Sequence, residues 1–158
     1  MGFFQKLNDL FVDQEAEAEE VARQEEFLEH SKVLVIDDDT AFLEAAATAL
    51  RDAGFRVLKS SNGTKGLNMI RYAGSDVKVV LLDYDLPQLD GLATLKFIRK
   101  FSPAIKVIAL TGMDVKFLPT AFREGVDLLM FKPFQGAQLV SQIRSYIFPA
   151  ATPKETIA

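Results

Sequence analysis

Apolar residues along the chain fall into two alternating patterns. One is the short uninterrupted run, at 33–36, 79–82, 107–110 and 128–131, with a weaker alternation at 55–59. Such runs, rich in branched side chains and closed by turn residues, read as strands buried on both faces. The other pattern spaces apolar residues three or four apart and predicts helices. Phe42, Leu43, Ala46, Ala47 and Leu50 make the first such face, with Thr40 as its cap and Gly54 as its stop. Leu67, Met69 and Ile70 mark a second, over 64–72. Leu92, Leu95, Phe97, Ile98 and Phe101 mark a third, stopped by Pro103. The next helix is expected late, near Leu118, with Pro119 in its first turn and Gly125 at its end. Leu139, Val140, Ile143 and Ile147 line the last. Five strand–helix alternations argue for a parallel sheet with helices on both faces.

Ahead of the first run, residues 1–31 lack Gly and Pro after Gly2 and favour one long helix. Phe3, Phe4, Leu7, Leu10 and Phe11 make an apolar face at its start. Heptad positions further along include Gln14, Glu17 and Gln24, which suits a coiled coil poorly. The segment reads as a helix docked on its own or a neighbouring domain, or else as a partner-docking or dimerising helix. A membrane-surface anchor is disfavoured, because anionic lipid repels an acidic helix.

Charge sharpens this division. Residues 1–32 carry nine acids against Lys6, Arg23 and Lys32, a net −6, whereas 33–158 carry +2. Neither part has the dense basic face of a nucleic-acid binder, and no nucleic-acid or membrane partner is expected. The absence of cysteine excludes disulfides, thiol catalysis and thiolate zinc sites, and His30 alone cannot build a histidine-rich metal site. No secretory signal or spanning run is evident, so a cytoplasmic location is expected. The organisation read from these features is an acidic helical extension (1–31), one α/β domain (32–148) expected to stand alone, and a disordered tail (149–158).

The chemistry gathers at the carboxyl ends of the strands, the edge where open α/β sheets bind ligands. The first strand delivers Asp37, Asp38 and Asp39; the third delivers Asp83. The fourth ends in Thr111 and Gly112, and the fifth leads to Lys132-Pro133. Converging carboxylates repel one another and call for a cation, and an all-oxygen set suits Mg²⁺. Asp38 and Asp83 are the candidate ligands, with Asp37 acting through water and the Asp85 backbone carbonyl completing the shell. Thr111 and Lys132 suit phosphoryl oxygens, and Gly112 leaves room beside them. A carboxylate nucleophile, a bridging metal and a fixed cation together make phosphoryl-transfer machinery. Taken singly, each piece has a plain alternative: a helix-capping acidic run, a strand-end threonine, a Lys-Pro turn.

In order, VLVIDDD (33–39), LLDYDLPQLDG (81–91), ALTG (109–112) and FKPF (131–134) resemble the receiver domain of two-component response regulators. The resemblance implies a flavodoxin-like (βα)5 fold with strand order 2-1-3-4-5. It implies that Asp83 accepts a phosphoryl group from a histidine kinase or a histidine phosphotransfer protein. Asp37 and Asp38 then correspond to the Mg²⁺-site acids, Thr111 to the switch hydroxyl, and Lys132 to the family lysine, followed by a cis peptide. Asp85, two residues past Asp83, is expected over the site. The downstream target is not identified; a homodimer through the N-terminal helix or the 118–148 face is a candidate assembly. One departure stands out: the family's aromatic residue three positions before the lysine is Leu129 here. Phe131 is expected on the opposite strand face from Leu129, so the usual aromatic–threonine coupling cannot operate as in the family.

Two other classes share parts of this pattern. Asp83-Tyr84-Asp85 resembles the Asp-x-Asp motif of haloacid-dehalogenase phosphatases, although Pro87 stands where that motif carries Thr or Val. A receiver-like binding module indifferent to phosphate is the other.

Overall fold

A computed structural model describes residues 2–133 and 135–149. Helix α1 (Phe3–His30) leads into β1 (Lys32–Ile36), α2 (Thr40–Asp52), β2 (Arg56–Ser60), α3 (Gly63–Ala73) and β3 (Val77–Leu82). Then follow α4 (Gly91–Phe101), β4 (Lys106–Thr111), α5 (Thr120–Gly125), β5 (Leu128–Phe131) and α6 (Gly136–Ile147). All strand pairs are parallel, in the order β2-β1-β3-β4-β5. The flavodoxin-like order implied by the resemblance is therefore the observed one.

Strand periodicity divides the core in two. Leu34, Ile36, Val80, Leu82, Val107 and Ala109 face α3, α4 and α5, meeting Ile70, Leu95, Ile98 and Phe122. Val33, Val35, Val79, Leu81, Ile108 and Leu110 face α2 and α6, meeting Leu43, Ala46, Leu50, Leu139 and Ile143. Since β1, β3 and β4 bury both faces, their sequences read as unbroken apolar runs rather than alternations.

Several expectations shift. The cap of α2 is Asp39, whose side chain accepts from the Phe42 N–H; Thr40 is already helical. A carboxylate at a helix start also meets the positive end of the helix dipole. Phe55 belongs to the turn before β2, its N–H donating to the Leu50 carbonyl. Pro119 precedes α5 as its cap, with extended ψ, instead of occupying the first turn. A single 3-10 turn, Val115–Phe117, fills the loop before it. Leu129 and Phe131 do not lie on opposite faces. Residues two apart on a strand share one; Leu128 and Met130 pack toward α2 and α6, Leu129 toward α5.

Among the described residues, helix α1 is tied down only near its end. Phe27 sets its ring edge-on to Phe55 and Phe148, at centroid distances of 6.4 and 5.4 Å, and Leu28 packs beside it. Arg56 donates to the Glu29 carbonyl at 2.8 Å. The first turns are exposed. No described helix is long and apolar enough to cross a membrane. The expected disordered tail falls, apart from Pro149, outside the described residues.

Candidate functional site

Asp37, Asp83 and Lys132 each stand one residue past a strand, and Thr111 is the last residue of β4. Asp37 follows β1 and donates its N–H to the Ser60 carbonyl; Asp83 follows β3 and donates to the Ile36 carbonyl, both at 3.0 Å. Asp37, Asp83 and Thr111 are buried, being 1, 7 and 1% exposed. Asp38 and Asp85 are exposed, and Asp39, the last acid of the 37–39 run, serves as the α2 cap.

Lys132 ties the cluster together. Its backbone N–H bonds the Thr111 carbonyl at 2.8 Å, continuing the β4–β5 ladder, and its peptide to Pro133 is cis. Its Nζ pairs with Asp37 Oδ2, lies 3.8 Å from Asp83 Oδ2 and sits 4.0 Å from the centre of the Phe42 ring. The other oxygen of Asp37 accepts from the Asp39 N–H at 2.9 Å. Thr111 Oγ1 accepts from the Met113 N–H at 3.1 Å.

Burial raises the Asp83 carboxyl to a pKa of about 6. Lys132 and a hydrogen bond from the Asp85 N–H pull it down, while the neighbouring Asp37 and Asp38 push it up. One ammonium thus fails to balance the carboxylates around it. Asp37, Asp38 and Asp83 each offer an oxygen, all within 4.8 Å of one another. A hard, all-oxygen, under-neutralised set of this kind fits a divalent ion such as Mg²⁺ better than a softer metal.

The loop after Asp83 is fixed by a residue whose packing role its sequence position did not reveal. Gly91 donates to the Tyr84 carbonyl at 2.9 Å, and a Cβ there would come within 2.6 Å of the Asp83 carbonyl oxygen and Tyr84 Cα. Gly112, expected to leave room, does border open space: a Cβ there meets nothing within 4 Å. Leu129 packs in the cluster containing Leu118, Phe122, Tyr84 and Met113. An aliphatic side chain therefore fills the place of the expected family ring.

Comparison with known proteins agrees with this geometry. The response regulator receiver domain matches residues 33–144. A homologue of the transcriptional regulatory protein CpxR from Haemophilus influenzae is 33% identical over 81% of this chain and 55% of its own length. The chain spans about half the length of the curated relatives it matches. Among solved structures, a response regulator receiver domain from Clostridium thermocellum is 33% identical, with a TM-score of 0.67 over 74% of this chain and 94% of that one. The BeF3-activated receiver domain of DrrB, a Thermotoga maritima protein, is 28% identical, with a TM-score of 0.64 over 74% and 97% of the two chains.

Proposed function

This chain belongs to the response regulator receiver domain family, and from that premise we propose that Asp83 is its phosphoacceptor, charged by a histidine kinase or a histidine phosphotransfer protein. Membership in this signalling family displaces the haloacid-dehalogenase reading. The observation that carries the proposal is one buried carboxylate facing a lysine 3.8 Å away, with two further carboxylates beside it.

An Asp83 oxygen attacks the phosphorus of the donor's phosphohistidine. The new P–O bond forms as the P–N bond breaks, and the departing imidazole takes a proton from solvent. Lys132 neutralises one phosphoryl oxygen, and the Thr111 hydroxyl donates to another. Asp38 and Asp83 would hold Mg²⁺, with Asp37 and the Asp85 carbonyl as the further oxygen groups for it. When bound, the ion supplies charge neutralisation for the transferring group.

Phosphorylation adds about −1.5 to −2 charge at this edge. Thr111 then moves toward the phosphate, and the loop to α5 repacks. The face built from α5, β5 and α6 changes for a downstream protein. Residues 32–148 form the working unit, acting in the cytoplasm, with 1–31 as its extension. The unit is no metabolic enzyme: the chemistry assigned to it is its own phosphorylation and dephosphorylation.

The test is titration with beryllofluoride and Mg²⁺, followed by amide NMR. Saturable shifts at Asp83, Thr111 and Lys132, lost in Asp83→Asn, support the proposal. Shifts unchanged in that variant refute it.

A further inference from the structure

Two surfaces that the phosphoacceptor does not use complement each other. The first is the exposed start of α1. Phe3, Phe4, Leu10 and Phe11 are 71, 85, 56 and 60% exposed. They lie on one face of a helix of 28 residues, about 42 Å long, that among the described residues is anchored only near Phe27 and Leu28. Patches of large apolar side chains left in water mark interaction sites.

The second is a groove of about 650 Å³ between α3 and α4, lined by Leu67, Ile70, Leu89, Phe97, Ile98 and Phe101. Phe97 and Phe101 stack at 6.1 Å and are 46 and 68% exposed. The charges are opposite in sign. Helices α3 and α4 carry Lys65, Arg71, Lys96, Arg99 and Lys100 and no acid, whereas α1 carries nine acids against Lys6 and Arg23. Of those cations, Arg99 is already paired with Asp127; Lys65, Arg71, Lys96 and Lys100 are exposed.

We propose that the apolar start of α1 docks in the α3–α4 groove of a second copy of this chain. An amphipathic helix in an apolar groove needs anchors three and four apart, which Phe3, Phe4, Leu7, Leu10 and Phe11 provide. The acids behind them meet Arg71, which lines the groove, and the exposed lysines of α3 and α4, and this sets orientation. The groove of the same copy is out of reach. Only Ser31 separates α1 from β1, its N–H is bonded to the Phe27 carbonyl, and folding back would strip Phe27 from Phe55 and Phe148. Reciprocal docking about a twofold axis closes the assembly as a dimer. The inference does not depend on phosphorylation.

The experiment is sedimentation of the full chain without phosphodonor, across the micromolar range. The expected result is a monomer–dimer equilibrium weakened when salt rises from about 0.1 to 0.5 M. The pairs Phe4→Glu/Phe11→Glu and Phe97→Glu/Phe101→Glu should each weaken it at least tenfold while circular dichroism stays native. Because the chain lacks cysteine, Phe11→Cys and Phe101→Cys proteins can be mixed and oxidised, and a disulfide between the two proteins is expected. The proposal is overturned by a monomer throughout, by a dimer that only one of the paired variants affects, or by a Phe11→Cys/Phe101→Cys chain that cross-links only within itself.

Discussion

Tyr84, the residue after the proposed phosphoacceptor, meets Phe122 of α5 edge-on, with ring centroids 5.0 Å apart. Phe122 is fully buried and packs in the same cluster as Leu129. In this chain, therefore, an aromatic pair joins the β3–α4 loop to α5 while position 129 is aliphatic. Phe122→Ala should destabilise the fold by about 3–5 kcal/mol in urea unfolding. A double-mutant cycle with Tyr84→Ala should give a coupling of about 0.5–1.5 kcal/mol. A coupling near zero would mean that the ring contact contributes nothing beyond burial.

The Asp83 carboxyl has a folded pKa of about 6 against an ordinary 3.8, so the fold favours its protonated form. The stabilisation from that form is fully present below pH 3.8 and is lost as pH rises through about 6. Without metal, Asp83→Asn should therefore stabilise the fold by about 1–3 kcal/mol at pH 7.5 and hardly at all at pH 4. Mg²⁺ competes with the proton, so its stabilisation of wild type should be greater at pH 7.5 than at pH 5. Thermal unfolding at both pH values, with and without Mg²⁺, checks the sign.

Lys132 compensates Asp37, whose carboxylate is buried. Replacing it by Ala leaves that charge uncompensated beside Asp83 and should cost about 3–5 kcal/mol at neutral pH. The loss should shrink at pH 4, below the Asp83 pKa of about 6, where that carboxyl is protonated. Denaturant unfolding at pH 7.5 and pH 4 measures both.

Two glycines at this edge should behave oppositely. Gly91→Ala forces a Cβ to within 2.6 Å of the backbone at Asp83 and Tyr84 and should destabilise by more than about 2 kcal/mol. Gly112→Ala meets open space and should stay within about 0.5 kcal/mol of wild type. Chemical denaturation of both variants distinguishes packing constraint from mere loop composition.

What the sequence displayed well was whatever follows from periodicity and position along a strand. The runs around Val33, Val79 and Val107 are unbroken because their strands bury both faces, and strand position alone puts Asp37, Asp83 and Thr111 at one edge. Local competition was harder to read. Asp39 and Thr40 are both good caps, and only backbone direction decides between them; Pro119 could begin or precede a helix with equal ease. The Lys132–Asp37 pair joins residues 95 apart, and the Phe27–Phe148 contact joins the last turns of α1 to the cap of α6. No local pattern encodes either. Phe131, two residues from Leu129, shares its strand face, because side chains on a strand alternate with a period of two.

The most direct test of the central claim is intact-mass measurement after incubation with acetyl phosphate and Mg²⁺. Wild type should gain one acid-stable, hydroxylamine-labile phosphoryl group, lost on chelation of the metal before reaction and absent from Asp83→Asn. The same gain in Asp83→Asn would contradict the account.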